Sequence, residues 1–225
     1  MENSHWSDLP LFPLNTVLFP GMILPLHIFE ERYKLMVQDC LDEDRPFGVS
    51  LIREGKEVGE RAVPYSIGTT ALIASVTRTD EGRMNIITIG HERFRLQGVA
   101  HEQPYLTGDA EPWPLTGGTE RGARAQVGPM RALLRQYQSL LVQAQGHSIK
   151  IEELPEEPRT LALLIAITLQ VPMPEKQRLL AQPDVLRMLL AERAILNREQ
   201  LLLDHIVQTQ SDQWEGGHSG YLSKN

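Results

Sequence analysis

Leu9-Pro10-Leu11-Phe12-Pro13-Leu14-Asn15-Thr16-Val17-Leu18-Phe19-Pro20-Gly21-Met22-Ile23-Leu24-Pro25-Leu26-His27-Ile28-Phe29-Glu30 is the segment on which the fold turns. Proline stops strand pairing at its own position, so Pro13, Pro20 and Pro25 are expected at strand ends or bulges, with Gly21 in a turn. The aromatics and prolines of this stretch support two readings. They set the bends of a first strand and fill a core, or they line a groove for extended apolar peptides. Just beyond, Ile28 to Leu41 place Phe29, Tyr33, Met36, Val37, Cys40 and Leu41 at spacings of three and four. That periodicity predicts a helix with those six residues on its apolar face and charges opposite.

Outward from this segment the first half of the chain favours strands. Phe47 to Ile52, Thr69 to Val76 and Asn85 to Ile89 are short runs rich in β-branched residues. Asp80-Glu81-Gly82 reads as the turn that joins the last two as antiparallel neighbours, because Gly accepts the positive φ of a tight turn. Many short strands with one packed helix predict a small, closed or half-closed β-barrel rather than a parallel α/β sheet.

The second half changes character. Residues 114–128 are rich in Gly, Pro and Thr and read as a linker after a β-rich subdomain at 9–113. Residues 129–209 read as helical: Pro129 to Gln145, Pro158 to Leu169, a short helix around Glu175 to Ala181, and a long one from Pro183-Asp184 to about Thr209. The last carries Val185, Leu189, Leu196, Leu203 and Val207 along one stripe, read as bundle packing. The polar residues 210–225 read as a disordered tail. The fold class expected is therefore α+β, a β-rich barrel with one packed helix followed by a helical bundle.

Composition narrows the function. The 225 residues carry a net charge of −7, from 22 Lys plus Arg against 29 Asp plus Glu. A nucleic-acid partner is not expected, because the arginines are scattered and often sit beside acids rather than forming a basic patch. The single cysteine, Cys40, excludes an intramolecular disulfide and a cysteine-based zinc site, and it reads as a small buried hydrophobe. No metal and no cofactor are expected. The N-terminus lacks the pattern of a secretory signal, and the apolar run from Leu161 to Val171 is about half a membrane span. The expectation is a cytoplasmic protein without a membrane partner.

Several separated motifs then agree. The opening segment resembles the start of the Lon N-terminal domain family, which reads roughly L-P-L-F-P-L, L-F-P-G and P-L-x-I-F-E-x-R-Y. Phe47-Gly48, Ile67-Gly68-Thr69, Gly90-His91-Glu92-Arg93-Phe94 and Lys176-Gln177-Arg178-Leu179-Leu180 continue the resemblance in order, so that it covers about residues 9 to 205. Glu31 departs from it, since relatives often have proline there. The resemblance implies a PUA-like pseudobarrel followed by a helical bundle, and a free-standing copy of the domain with which Lon proteases capture unfolded or tagged proteins. Cereblon-type relatives add a zinc domain with four cysteines, and that function is not carried over to a chain with one.

Catalytic machinery is not expected. Gly55-Lys56 is followed by Glu57 and lacks the preceding Gly of a phosphate-binding loop. His91-Glu92 meets Arg95, and His101-Glu102 meets Tyr105, where a second zinc-binding His would stand; no G-x-S-x-G occurs. A Ser-Lys peptidase domain is not expected. The reading is a non-enzymatic module that engages unfolded or client polypeptides through apolar contacts, with edge-strand hydrogen bonding as a second contribution, and that serves as adaptor to a separate protease. Its rivals are a hydrolase of unrecognised type and a PUA-like RNA-binding module. Candidate substrate-binding residues are Phe12, Phe19, Met22, His27, Phe29 and Tyr33. For His27 the alternative is a strand-end ring bonded to backbone. Glu30, or Glu31, is expected to pair with Arg93 and tie the helix to the later strands, since an unpaired buried charge is costly.

Overall fold

A computed structural model describes residues 5–57, 62–79, 82–145 and 153–218. The described chain divides into two compact units, Met1–Thr116 with Ala166–Pro183, and Gly117–Ile165 with Asp184–Asn225.

The first unit holds seven strands: β1 (Trp6–Leu14), β2 (Ile23–Ile28), β3 (Phe47–Glu54), β4 (Val63–Pro64), β5 (Ile67–Arg78), β6 (Met84–Ala100) and β7 (Leu106–Pro112). They pair in the order β1-β7-β6-β5-β3, and a parallel β1–β3 contact closes these five into a ring. Closure explains the uninterrupted apolar run of β1. Leu9 to Leu14 are all buried because both faces of this strand are covered. Leu9 and Leu11 meet Phe94 and Ala110, while Phe12 and Leu14 turn to a second cluster built around Phe47, Met36 and Ile86.

Helix α1 (Glu31–Asp42) supplies the lid of that second cluster through Tyr33, Met36, Val37 and Cys40, with Phe12 stacked on Tyr33 at 4.1 Å between centroids. It begins three residues later than the periodicity suggested. Ile28 is still strand, paired with Met84, so Phe29 precedes the helix and is exposed, as is Leu41 at its far end. Glu31 is the first helical residue, a position that accepts proline or an acidic side chain equally well, which accounts for the departure there. Burial pushes the Cys40 thiol up to about 12, keeping it an inert apolar filler.

Strand β6 is long because it serves two partners in succession along one edge. Residues Phe94 to Ala100 pair with β7 inside the ring, and Met84 to Ile89 pair with β2 outside it, while β5 runs along the opposite edge. The changeover is at Gly90. Its N–H donates to Met22 O at 2.9 Å and its carbonyl accepts from Gly21 N at 2.7 Å. A β-carbon there would overlap the Phe19 carbonyl, so only glycine lets the segment entering β2 cross so closely. Pro20 and Gly21 form that crossing. Pro25, however, stands in the middle of β2 rather than at an end, because β2 is an edge strand that among the described residues pairs with β6 alone. Gly82 adopts φ +69 at the β5–β6 connection, and Thr79 N donates to Arg83 O at 2.9 Å. Asp80 and Glu81 of the expected turn lie outside the described residues.

The chain portion Ala166–Pro183 belongs with the strands, which differs from a division at residues 114–128. Its helix α4 (Met173–Leu180) is anchored by Gln177 Nε2 donating to Ile67 O at 2.9 Å and by Thr116 N donating to Pro183 O at 3.2 Å. In the second unit, α2 (Arg121–Gln145) starts inside the stretch read as linker. Arg, Ala and Gln around Gly122 and Gly128 carry the helix through Pro129, and Ala123 is fully buried. Leu134, Tyr137 and Leu141 of α2 and Val185, Leu189, Leu196 and Leu203 of α5 (Val185–His218) are buried. Gln200 Nε2 ties the two helices by donating to Leu133 O at 2.8 Å. Glu192 sits fully buried in the α5 stripe, and burial holds its carboxyl well above the usual range. Helix α3 (Pro158–Thr168) matches its expected span. Of the tail read at 210–225, residues through His218 continue α5, and 219–225 lie outside the described residues.

Candidate functional site

The three strands β2, β6 and β5 present two faces of opposite fate. On the inner face Leu24, Leu26, Ile28, Met84, Ile86, Ile73 and Val76 pack on the cluster under α1. On the outer face the register aligns three rows across the sheet. Ile23, Ile89 and Leu72 form one row, Pro25, Ile87 and Ser75 the next, and His27, Asn85 and Thr77 the third. Ile23 is 64% exposed, Ile87 46%, Leu72 42% and Ile89 40%, and Phe29 beyond the third row is 47% exposed. The face thus grades from aliphatic to polar along β2. None of the nine row residues is Lys, Arg, Asp or Glu.

The polar row is ordered by its own contacts. His27 Nδ1 donates to Asn85 Oδ1 at 2.7 Å, since an amide oxygen only accepts. The imidazole stacks on Phe29, with centroids 6.0 Å apart and planes 29° apart. His27 is therefore bonded to a side chain across the strand pair, not to backbone.

Three of the six residues singled out as binding candidates do not reach the outer face. Phe12, Phe19 and Tyr33 are buried in the core, because the LPLFPL strand is covered on both faces and Phe19 lies under the Gly90 crossing. Met22 is half-buried against the same core. His27 and Phe29 alone reach the outer face. The expected Glu30–Arg93 tie is replaced by two others. Glu30 accepts from Arg32 Nη2 at 2.9 Å, its near neighbour on α1. Arg93 donates through Nη1 to the carbonyls of Leu180 at 2.5 Å and Gln182 at 2.7 Å, closing the C-terminal end of α4. Arg93 thus ties β6 to the end of α4.

Ile23, Leu72, Ile87 and Ile89 were not singled out from sequence. One signal pointed toward them. Ile23-Leu24-Pro25-Leu26-His27-Ile28 has little apolar/polar alternation although its proline marks an edge, so its outer face is apolar without a covering strand.

A second concavity of about 120 Å³ is lined by Pro13, Arg32, Tyr33, His101, Gln103 and Tyr105. Its charge is already satisfied. Arg32 lies over the Tyr33 ring at 4.5 Å and pairs with Glu30. Burial pushes the Tyr33 and Tyr105 phenols up, and Tyr105 donates to Asp39 Oδ2 at 2.7 Å. Among the described residues, the rings of His27 and His91 are bonded to no hydroxyl. His91 Nδ1 instead lies 3.8 Å from Glu92 Oε1. Nor does any group of three His, Cys, Asp or Glu side chains among them converge as metal ligands.

The sequence profile of the ATP-dependent protease La (LON) substrate-binding domain matches residues 8–198. The chain belongs to this family. Similar proteins include Lon protease 2 of Myxococcus xanthus, 28% identical over 198 residues, which are 87% of this chain and 24% of that protein. The Lon protease of Paraburkholderia phytofirmans is 31% identical over 193 residues, 84% of this chain and 24% of that one. The chain therefore spans about a quarter of the length of the Lon proteases it matches. Among solved structures, a Lon N-terminal domain protein from Xanthomonas campestris superposes with a TM-score of 0.65 at 26% identity, covering 84% of this chain and 98% of that one. The N-terminal domain of a Mycobacterium avium complex Lon protease shares the fold, with a TM-score of 0.63 at 17% identity over 86% of this chain. The Lon substrate-binding family is thus joined here to an α+β fold with a seven-stranded, mostly antiparallel sheet. No helix among the described residues is long and apolar enough to cross a membrane.

Proposed function

We propose that this chain is a non-enzymatic recognition module that captures exposed apolar stretches of unfolded or client polypeptides. The observation that carries this reading is the outer face of β2, β6 and β5, with its four exposed aliphatic side chains in adjacent rows. A lone exposed aliphatic residue is ordinary on a protein surface, whereas a contiguous patch of this kind marks a binding surface. The absence of a cation in those rows favours a polypeptide over a nucleic-acid backbone, which needs Lys or Arg for its phosphates. Membership of a substrate-binding family supports the same class of ligand. The matched relatives are Lon proteases, which supports a further role as adaptor, handing a bound client to a separate protease.

The test is fluorescence anisotropy with a labelled, permanently unfolded protein and a folded control, while fragment release is followed in the same tube. Binding of the unfolded protein alone, without fragments, is the expected result. Ile87→Ser with Ile89→Ser should weaken it at least tenfold, since each side chain offers about 2 kcal/mol of further burial. Cleavage without added protease, or binding indifferent to the double substitution, would remove the reading. The adaptor role is read separately, as faster degradation of the labelled client by a Lon protease when this chain is added.

A further inference from the structure

The recognition reading leaves open how a client is held, and the geometry points to strand addition on the free edge of β2, with an extended segment of alternating apolar side chains as the occupant. This inference rests on that reading and goes beyond it to a binding mode and a client pattern. Gly90 N donates to Met22 O, and Leu24 O accepts from Thr88 Oγ1, so the even-numbered residues of β2 turn their main-chain groups toward β6. In an antiparallel pair that parity alternates, and Ile23, Pro25 and His27 turn theirs to the open side. The edge therefore offers the N–H of Ile23 and His27 and the carbonyls of Ile23, Pro25 and His27. No further strand pairs with β2 among the described residues.

The same three residues carry the outer-face side chains, so a strand laid on this edge extends the rows sideways. Its side chains beside Ile23 and Pro25 meet aliphatic surface, and the one beside His27 meets the imidazole and the Phe29 ring. The matching client is apolar at alternate positions.

Size selects this occupant over a second folded copy. The nine row residues and Phe29 make ten, against the roughly 20–30 residues a side of a stable interface between folded partners. An extended segment of about six residues matches the roughly 20 Å length of β2 and adds main-chain hydrogen bonds to the apolar contact. Pro25 explains why the edge does not pair indiscriminately. It removes the central donor of the open side, so any added strand has one carbonyl unmatched.

The probe is a dye-labelled eight-residue peptide alternating isoleucine and threonine, used with the full chain. Two further versions are N-methylated, one on every isoleucine amide and one on every threonine amide. Strand addition predicts that one version loses at least tenfold in affinity and the other binds like the parent, because only one parity of amides faces β2. It also predicts slowed hydrogen exchange at the Ile23 and His27 amides in the complex. Pro25→Val restores the missing donor and should tighten binding about fivefold, the worth of one net hydrogen bond. If the parent peptide binds but both methylated versions behave alike and the two amides stay unprotected, strand addition is overturned while capture on the sheet face stands. If neither the peptide nor the unfolded protein binds, both readings fall.

Discussion

The two halves of β6 differ in how their edges and faces are treated. At Phe94 and Arg95 the strand is locked in a closed ring, with β5 on one edge and β7 on the other, and Phe94 is fully enclosed. From Met84 to Ile89 it is flanked by β5 and by a strand whose far edge is open, and every second residue faces solvent. Ring closure removes the unpaired main chain that makes a sheet sticky. This protein closes one sheet and leaves the continuation of the same strand open, so stability and recognition draw on separate residues of one element.

That separation can be broken most directly in the ring. Phe94→Ala should cost about 3–5 kcal/mol, read as a drop in the midpoint of chemical denaturation, because a filled core position becomes a cavity. In the open half, Ile86→Ala should cost about 2–4 kcal/mol by the same mechanism, since Ile86 points inward. Gly90→Ala tests the junction. The β-carbon forces the Phe19 carbonyl away, and the loss, about 1–3 kcal/mol, should come with weaker peptide binding because β2 is displaced. Ile87→Ser, one residue from Ile86, should cost about 1 kcal/mol, below the cost of Ile86→Ala, while reducing capture of unfolded protein. An Ile87→Ser variant as unstable as Ile86→Ala would show that the two faces are not independent. The smallest effect expected is that of Asn85→Ala, a few tenths of a kcal/mol in stability. It frees the His27 ring and should alter preference only for the client residue beside it.

Local pattern carried much of this architecture. Leu9 to Leu14 contain no polar residue, and a strand apolar on both faces belongs inside a closed sheet. Tyr33, Met36, Val37 and Cys40 announced the buried side of α1 by their spacing, and the separated Lon-like motifs announced the family. The binding face was not legible in the same way. Ile23 is a neighbour of Leu72 and Ile89 only through register with strands more than forty residues further along the chain. Within Asn85 to Ile89, the run of isoleucines does not say which of them lacks a cover. Phe29 was misplaced for a local reason, since helical spacing can be read through a residue that still belongs to the strand exit. Arg93 was misassigned because its acceptors are main-chain carbonyls, which leave no mark on residue type. The start of α2 was hidden by Gly122, Gly128 and Pro129, each a breaker alone but outweighed by the helix formers around them.

The closing contact of the ring also sets a schedule. Leu9 pairs with Gly108, roughly 100 residues further along, and Leu11 with Gly48. At about 5–20 residues per second, β1 leaves the ribosome about 5–20 s before β7 exists. Throughout that interval its six consecutive apolar residues lack one edge partner, and no local contact can substitute for a strand not yet made. A protein whose proposed work is to hold the unfinished segments of others must itself begin life as such a segment.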